Sequence, residues 1–219
     1  MLRFVMATEK PSWWARVRQL RALRAHPARI GDAAVLQSDL LGARMRDEIR
    51  ARVEALCGRS DCDRLRPRLD HAALRRSPPG TFGRAYADFC AANAIVPATI
   101  SDAFADDALR RNAAIARYIC LHDMFHVLLG CDTSLPGELR ITAFIMEQRY
   151  FAAGKPFLAL LASVAPLLRP HEFRQIRHDM QLGRELARRA PILVAEPLED
   201  WLADDLGAVQ RRLGLPVTA

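Results

Sequence analysis

A chain of 219 residues can form one domain with a sizeable core, and its 51% hydrophobic and 26% charged content is that of an ordinary soluble globular protein. No apolar run approaches the ~18–20 residues that span a bilayer, and five cysteines without a CxxC pair read as free thiols of a reducing compartment, not as a disulfide framework. The net charge of +7 is local, because residues 1–80 hold 17 Lys/Arg against 9 Asp/Glu.

Residues 1–30, with seven Lys/Arg and one acid, form a basic amphipathic segment ahead of a helical domain over 31–214. They lack the apolar stretch of a secretory signal, and a mitochondrial import signal is the alternative use of such a segment. Within it "SWWARVRQLRALRAH" (12–26) starts at a serine cap and spaces Trp13, Val17 and Leu20 at helical intervals, with arginines elsewhere. Two tryptophans opposite an arginine-rich face suit a helix lying on anionic lipid. The other reading is a first helix packed on the domain with its arginines solvated. No nucleic-acid-binding motif accompanies the patch, so nucleic acid is not an expected partner.

A second helix is expected from Asp32 to Cys57, followed by a polar, Pro/Gly-closed connection over 58–80. Phe82, Tyr86, Phe89 and Cys90 make a helical stripe in 81–95. Asp106 and Asp107 suit a helix start and Gly130 a helix stop, giving a helix of about twenty residues. Further helices are expected over 137–154, 156–168, 171–189 and 197–214, the last with Leu198, Trp201, Leu202, Leu206, Val209 and Leu213 on one face. No strand signal occurs. The fold class is all-α, a single-domain helical bundle.

Chemistry concentrates in "HDMFHVLLGCDTSLPGE", His122 to Glu138. Spacing of four puts His122 and His126 on one helical face, one turn apart. If the next helix returns antiparallel, Glu138 can swing back over them, and two imidazoles with one carboxylate form a ligand set that leaves positions open for water or substrate. Asp123 can complete the site, orient a ligand, or act as a general base. A divalent ion is the implied cofactor, and the donor set suits zinc as well as non-haem iron. The plain alternative is a helix that happens to carry two histidines.

The pattern H-D-x2-H-x11-E resembles that of the coenzyme Q biosynthesis protein four family. "GTFGRAYADFCAAN" (80–93), "FADDALRRNAAIARY" (104–118) and "HVLLGCDTSLPGEL" (126–139) resemble that family's neighbouring motifs, and Gly183 and the Trp201 helix match weaker ones, so the likeness covers roughly 72–214. Two departures fall in the helix after Glu138: the stretch between Ile141 and Pro156 is a few residues longer, and Ala143 replaces a bulky aromatic. The resemblance implies a helical protein at the membrane surface with an elongated apolar cavity for a polyprenyl tail. It also implies a metal site at His122, Asp123, His126 and Glu138, with Asp123 and His126 as catalytic residues. The implied activity is oxidative decarboxylation at C1 of a prenylated 4-hydroxybenzoate, a step of ubiquinone biosynthesis. Expected partners are the polyprenylated aromatic substrate or another isoprenoid lipid, the membrane surface, other ubiquinone-biosynthesis proteins and a second copy in a homodimer. The expected location is cytoplasmic, peripheral to the inner membrane, or the matrix side in a mitochondrion. Two competing functions are a non-catalytic isoprenoid-binding scaffold and a metallohydrolase. The second is weakened because Asp123 is one methylene shorter than the glutamate base of that chemistry.

Overall fold

The computed structural model describes residues 12–58, 63–102, 104, 107–152 and 170–218. Among them the regular elements are helical, and the two extended pairings, Met45 with Phe151 and Thr81 with Asp205, are isolated bridges. The α-helices are α1 (Trp13–Arg24), α2 (Ile30–Leu40), α3 (Asp47–Cys57), α4 (His71–Leu74), α5 (Phe82–Ala92), α6 (Asp107–Arg111), α7 (Ala113–Leu129), α8 (Leu135–Glu147), α9 (Phe173–Arg189) and α10 (Leu206–Arg212). The expected helix over 156–168, Asp106, Cys62 and residues 1–11 lie outside the described residues.

Helix α7 is the axis of the molecule. It is apolar nearly all round, and such a helix belongs inside. Ile115, Leu121, Phe125 and Leu128 join the main core with Val53 of α3, Phe82 and Tyr86 of α5 and Val209 of α10. Ala116 and Cys120 face a second cluster with Val35 and Leu36 of α2. Full burial of each large apolar side chain is worth about 1.5–3 kcal/mol, so the helix that carries both histidines is firmly held from two sides.

Several expected helices are divided where a side chain captures the backbone. The Asp32–Cys57 helix is broken between α2 and α3, with Gly42 at φ +68°. Asp39, near the end of α2, accepts from Arg111 Nη2 (2.7 Å) and Asn112 Nδ2 (2.8 Å) and pairs with Arg16 Nη2 (2.8 Å). Asn112 also donates to the Ala108 carbonyl (2.9 Å), separating α6 from α7. The 197–214 helix becomes a 3-10 turn at Leu198–Trp201 and then α10, because Asp205 caps the Ala208 amide (2.8 Å). Helix α8 ends at Glu147, and Arg149 at φ +59° follows.

Ser12 caps α1 through the Ala15 amide (3.2 Å), and the helix packs on α2 through Leu20 and Leu23. Trp13 and Trp14 are left 57% and 69% exposed. At the other end of the fold α8 lies against α9, with Leu139 and Ala143 on Ile176 and Met180. A Cβ on Gly183 would fall 2.2 Å from the Arg140 carbonyl oxygen and 3.3 Å from Ala143 Cβ, so only glycine permits this approach. The small residue at 143 thus serves the helix contact. Gly183→Ala is expected to lower stability by about 1–3 kcal/mol through overpacking, read as a lower urea midpoint with an unchanged slope.

Candidate metal centre

The turn between α7 and α8 places the site. Gly130 ends α7 at φ +60°, and the Cys131 amide bonds back to the His126 carbonyl (3.0 Å). Ser134 then caps α8, and Pro136 sits in its first turn. The tight reversal needs Gly137, where a Cβ would lie 2.1 Å from the Asp132 carbonyl oxygen. Arg140 binds the assembly together. It donates to the carbonyls of Leu129 (3.1 Å) and Gly130 (2.8 Å) and to Asp179 of α9 (2.7 Å from Nε).

Glu138, in the first turn of α8, therefore faces both histidines. Its Oε2 is 3.5 Å from His122 Nε2 and its Oε1 3.2 Å from His126 Nε2. The imidazole rings are nearly perpendicular at 5.1 Å between centroids, and one ligand atom from each residue lies within 4.8 Å of the others. His126 is buried, whereas the His122 and Glu138 side chains are 29% and 43% exposed. The group is open on one side. Burial would raise the Glu138 carboxyl, but hydrogen bonds and charge from His122 and His126 outweigh it and hold its pKa down to about 2.

Behind the histidines stand groups that the motif does not include. Tyr118 OH lies 3.2 Å from His122 Nδ1, and Cys131 Sγ lies 3.6 Å from His126 Nδ1. Burial pushes the Cys131 thiol up to about 12 and the Tyr118 phenol above its usual range, so both stay neutral. Phe89 of α5 stacks on His126 at 5.2 Å. Asp123, placed with the ligands by the motif, is not in the three-donor group. Burial raises its carboxyl against the opposing pull of His122 and His126, and its charge is felt by His71, Tyr86 and Cys90. An open groove of about 500 Å³ runs beside His126, with Ala85, Phe89, Ala92, Val127 and Leu206 in its apolar lining and Asp88, Asn93, Asp132 and Thr218 also along it.

Two imidazole nitrogens and a carboxylate oxygen converging on one point are a fitting donor set for a divalent ion with free coordination positions. A family model described as coenzyme Q (ubiquinone) biosynthesis protein Coq4 matches residues 45–218, which contain every residue of this centre. The chain belongs to the Coq4 family. The ubiquinone biosynthesis protein COQ4 homolog, mitochondrial, of Bos taurus is 34% identical over 150 residues, covering 67% of this chain and 55% of that protein. Its counterpart in Xenopus tropicalis is 36% identical over 126 residues, covering 57% of this chain and 43% of that protein. The chain thus spans about half the length of the curated relatives it matches. A crystal structure from Nostoc punctiforme, provisionally assigned as a ubiquinone biosynthesis protein, superposes with a TM-score of 0.61 over 92% of this chain and 96% of that one at 19% identity, which establishes a shared fold. Among the described residues no helix is long and apolar enough to cross a membrane.

Proposed function

We propose that His122, His126 and Glu138 hold a divalent ion, and that the protein uses it to replace the C1 carboxylate of a polyprenylated 4-hydroxybenzoate-type precursor with a hydroxyl, the carboxylate leaving as carbon dioxide and dioxygen accepting the two electrons removed. The observation that carries this reading is the convergence of three donors, one of which, His126, also lines an apolar groove. A structural metal staple is usually closed by four protein ligands; three donors with Glu138 half-exposed favour a site that admits substrate. The ion would supply positive charge for the ring carboxylate and, if it is iron, the redox capacity that an oxidative loss of carbon dioxide requires.

The chain's own residues have separate tasks. The groove on Phe89 and Val127 accepts the first units of the isoprenoid tail and keeps water from that side of His126. Asp123, outside the donor group, is the residue to which we assign uptake and return of the ring-hydroxyl proton, a role supported by the burial that raises its carboxyl. Trp13 and Trp14 stand exposed on a helix whose Arg18, Arg21 and Arg24 are also exposed. That surface suits docking to an anionic bilayer, from which so insoluble a substrate has to be taken.

The test is release of labelled carbon dioxide from a carboxyl-labelled prenylated 4-hydroxybenzoate precursor, using iron-reconstituted protein under air. Label in the gas and a hydroxyl at C1 of the product are expected. Metal and substrate both bound, with no label released, would exclude the reaction and leave the isoprenoid-binding scaffold.

A further inference from the structure

Each imidazole of the metal centre has a second nitrogen, and both are occupied. Tyr118 lies one turn before His122 on α7, at the i,i+4 position whose side chain reaches its neighbour, and its hydroxyl is 3.2 Å from His122 Nδ1. The ring is fixed edge-on by Phe125 (5.7 Å), Tyr150 (6.1 Å) and Phe151 (6.1 Å). Cys131, the residue after the helix-ending Gly130, is buried with its sulfur 3.6 Å from His126 Nδ1.

The chemical type of these two partners matters. A hydroxyl or thiol can donate or accept, whereas a carboxylate only accepts and an ammonium only donates. Whenever no ion is bound, both Nε2 atoms face the Glu138 carboxylate, an acceptor, so the ring protons belong on Nε2 and the Nδ1 atoms need donors. An ion takes the Nε2 lone pairs, moves the protons to Nδ1 and demands acceptors there instead. Tyr118 and Cys131 satisfy both states by rotating one bond.

We infer that Tyr118, with Cys131 as the weaker partner, is a positioning residue that holds His122 and His126 with Nε2 towards Glu138 and reverses its hydrogen bond when the ion enters. This rests on the metal reading of the site, and zinc alone serves as the probe. Tyr118→Phe keeps the ring packing and removes only the hydroxyl. Competition against a chromogenic chelator is expected to show zinc affinity falling about 10–100-fold, while the thermal midpoint of the metal-free protein stays at the wild-type value. Cys131→Ala is expected to lose less, sulfur being the poorer partner.

Long-range proton–nitrogen spectra of zinc-loaded wild-type protein supply a readout that packing would not move. They are expected to show zinc on His122 Nε2 and a proton on Nδ1. Wild-type protein that takes up no zinc would overturn the metal reading and this inference with it. Wild-type uptake with unchanged affinity in Tyr118→Phe, or zinc bound through Nδ1, would overturn this inference alone.

Discussion

Wild-type protein purified without oxygen is expected to carry about one equivalent of metal, the complement of a single three-donor centre, and His122→Ala, His126→Ala and Glu138→Gln are each expected to lose it. Replacing a group that only supports a ligand costs roughly 10–100-fold in metal affinity, and deleting one of three ligands has to cost more. Elemental mass spectrometry measures the content, and circular dichroism checks that the helices persist. Glu138→Gln is the most informative of the three. Its side chain is 43% exposed, so packing changes little while the charge that faces both Nε2 atoms disappears. The Glu138 carboxyl is held down to about 2, below its ordinary 4.5, so the stability gained by its ionisation is complete above pH ~4.5 and is lost as pH falls towards 2. The ligand is therefore ionised at every pH where the protein would work. Iron in the wild type would support oxidative chemistry, and zinc would move the weight to Lewis-acid or structural roles. No metal after reconstitution, or full occupancy in Glu138→Gln, would remove the donor group from the account.

The three donors were legible because local rules determine them. Histidine spacing of four fixes a shared face, Gly130 stops the helix, and Ser134 with Pro136 starts the next one in time to turn Glu138 back. The step of about 100° that separates Asp123 from His122 along the helix was legible too, and it leaves open whether that carboxyl completes the site, orients a ligand or acts as a base. Tyr118 could have been found by the same i,i+4 spacing, and Cys131 by its place after the helix stop. The helix breaks were harder. Asn112 looks like an ordinary helix residue until Asp39 arrives from 73 positions away to bind it. Apolar periodicity cannot see such a capture, although Asp205, followed by the Leu206 helix, did carry a capping signal in 197–214.

Arg117 gave no signal at all, and its replacement by alanine is expected to cost about 3–5 kcal/mol, the range for breaking a buried ion pair by removing one partner, although Glu199 keeps a longer pairing to Arg64 (3.4 Å). The side chain is fully buried in α7. Its guanidinium donates to both carboxylate oxygens of Glu199 (2.9 Å each), to the carbonyls of Val194 and Glu196 (2.7 Å each) and to the carbonyl of Arg64. One side chain thereby ties the axial helix to segments 53 and 77–82 residues away. For a chain of this size the loss corresponds to a fall of roughly 6–20 °C in thermal midpoint, readable by circular dichroism. Some buried ion pairs can be exchanged for apolar side chains at no loss once both partners change. That escape is narrowed here, since three of the acceptors are backbone carbonyls that no substitution removes: Glu196 keeps the Leu198 amide (2.9 Å), but the carbonyls of Val194 and Arg64 would lose the donor that Arg117 supplies. Arg117→Met combined with Glu199→Leu is therefore expected to remain destabilised, and a double variant as stable as wild type would show that the carbonyls find other partners. Arg117→Lys is expected to recover only part of the loss, because an ammonium is a point donor and cannot grip Glu199 with two parallel bonds while reaching the carbonyls on either side.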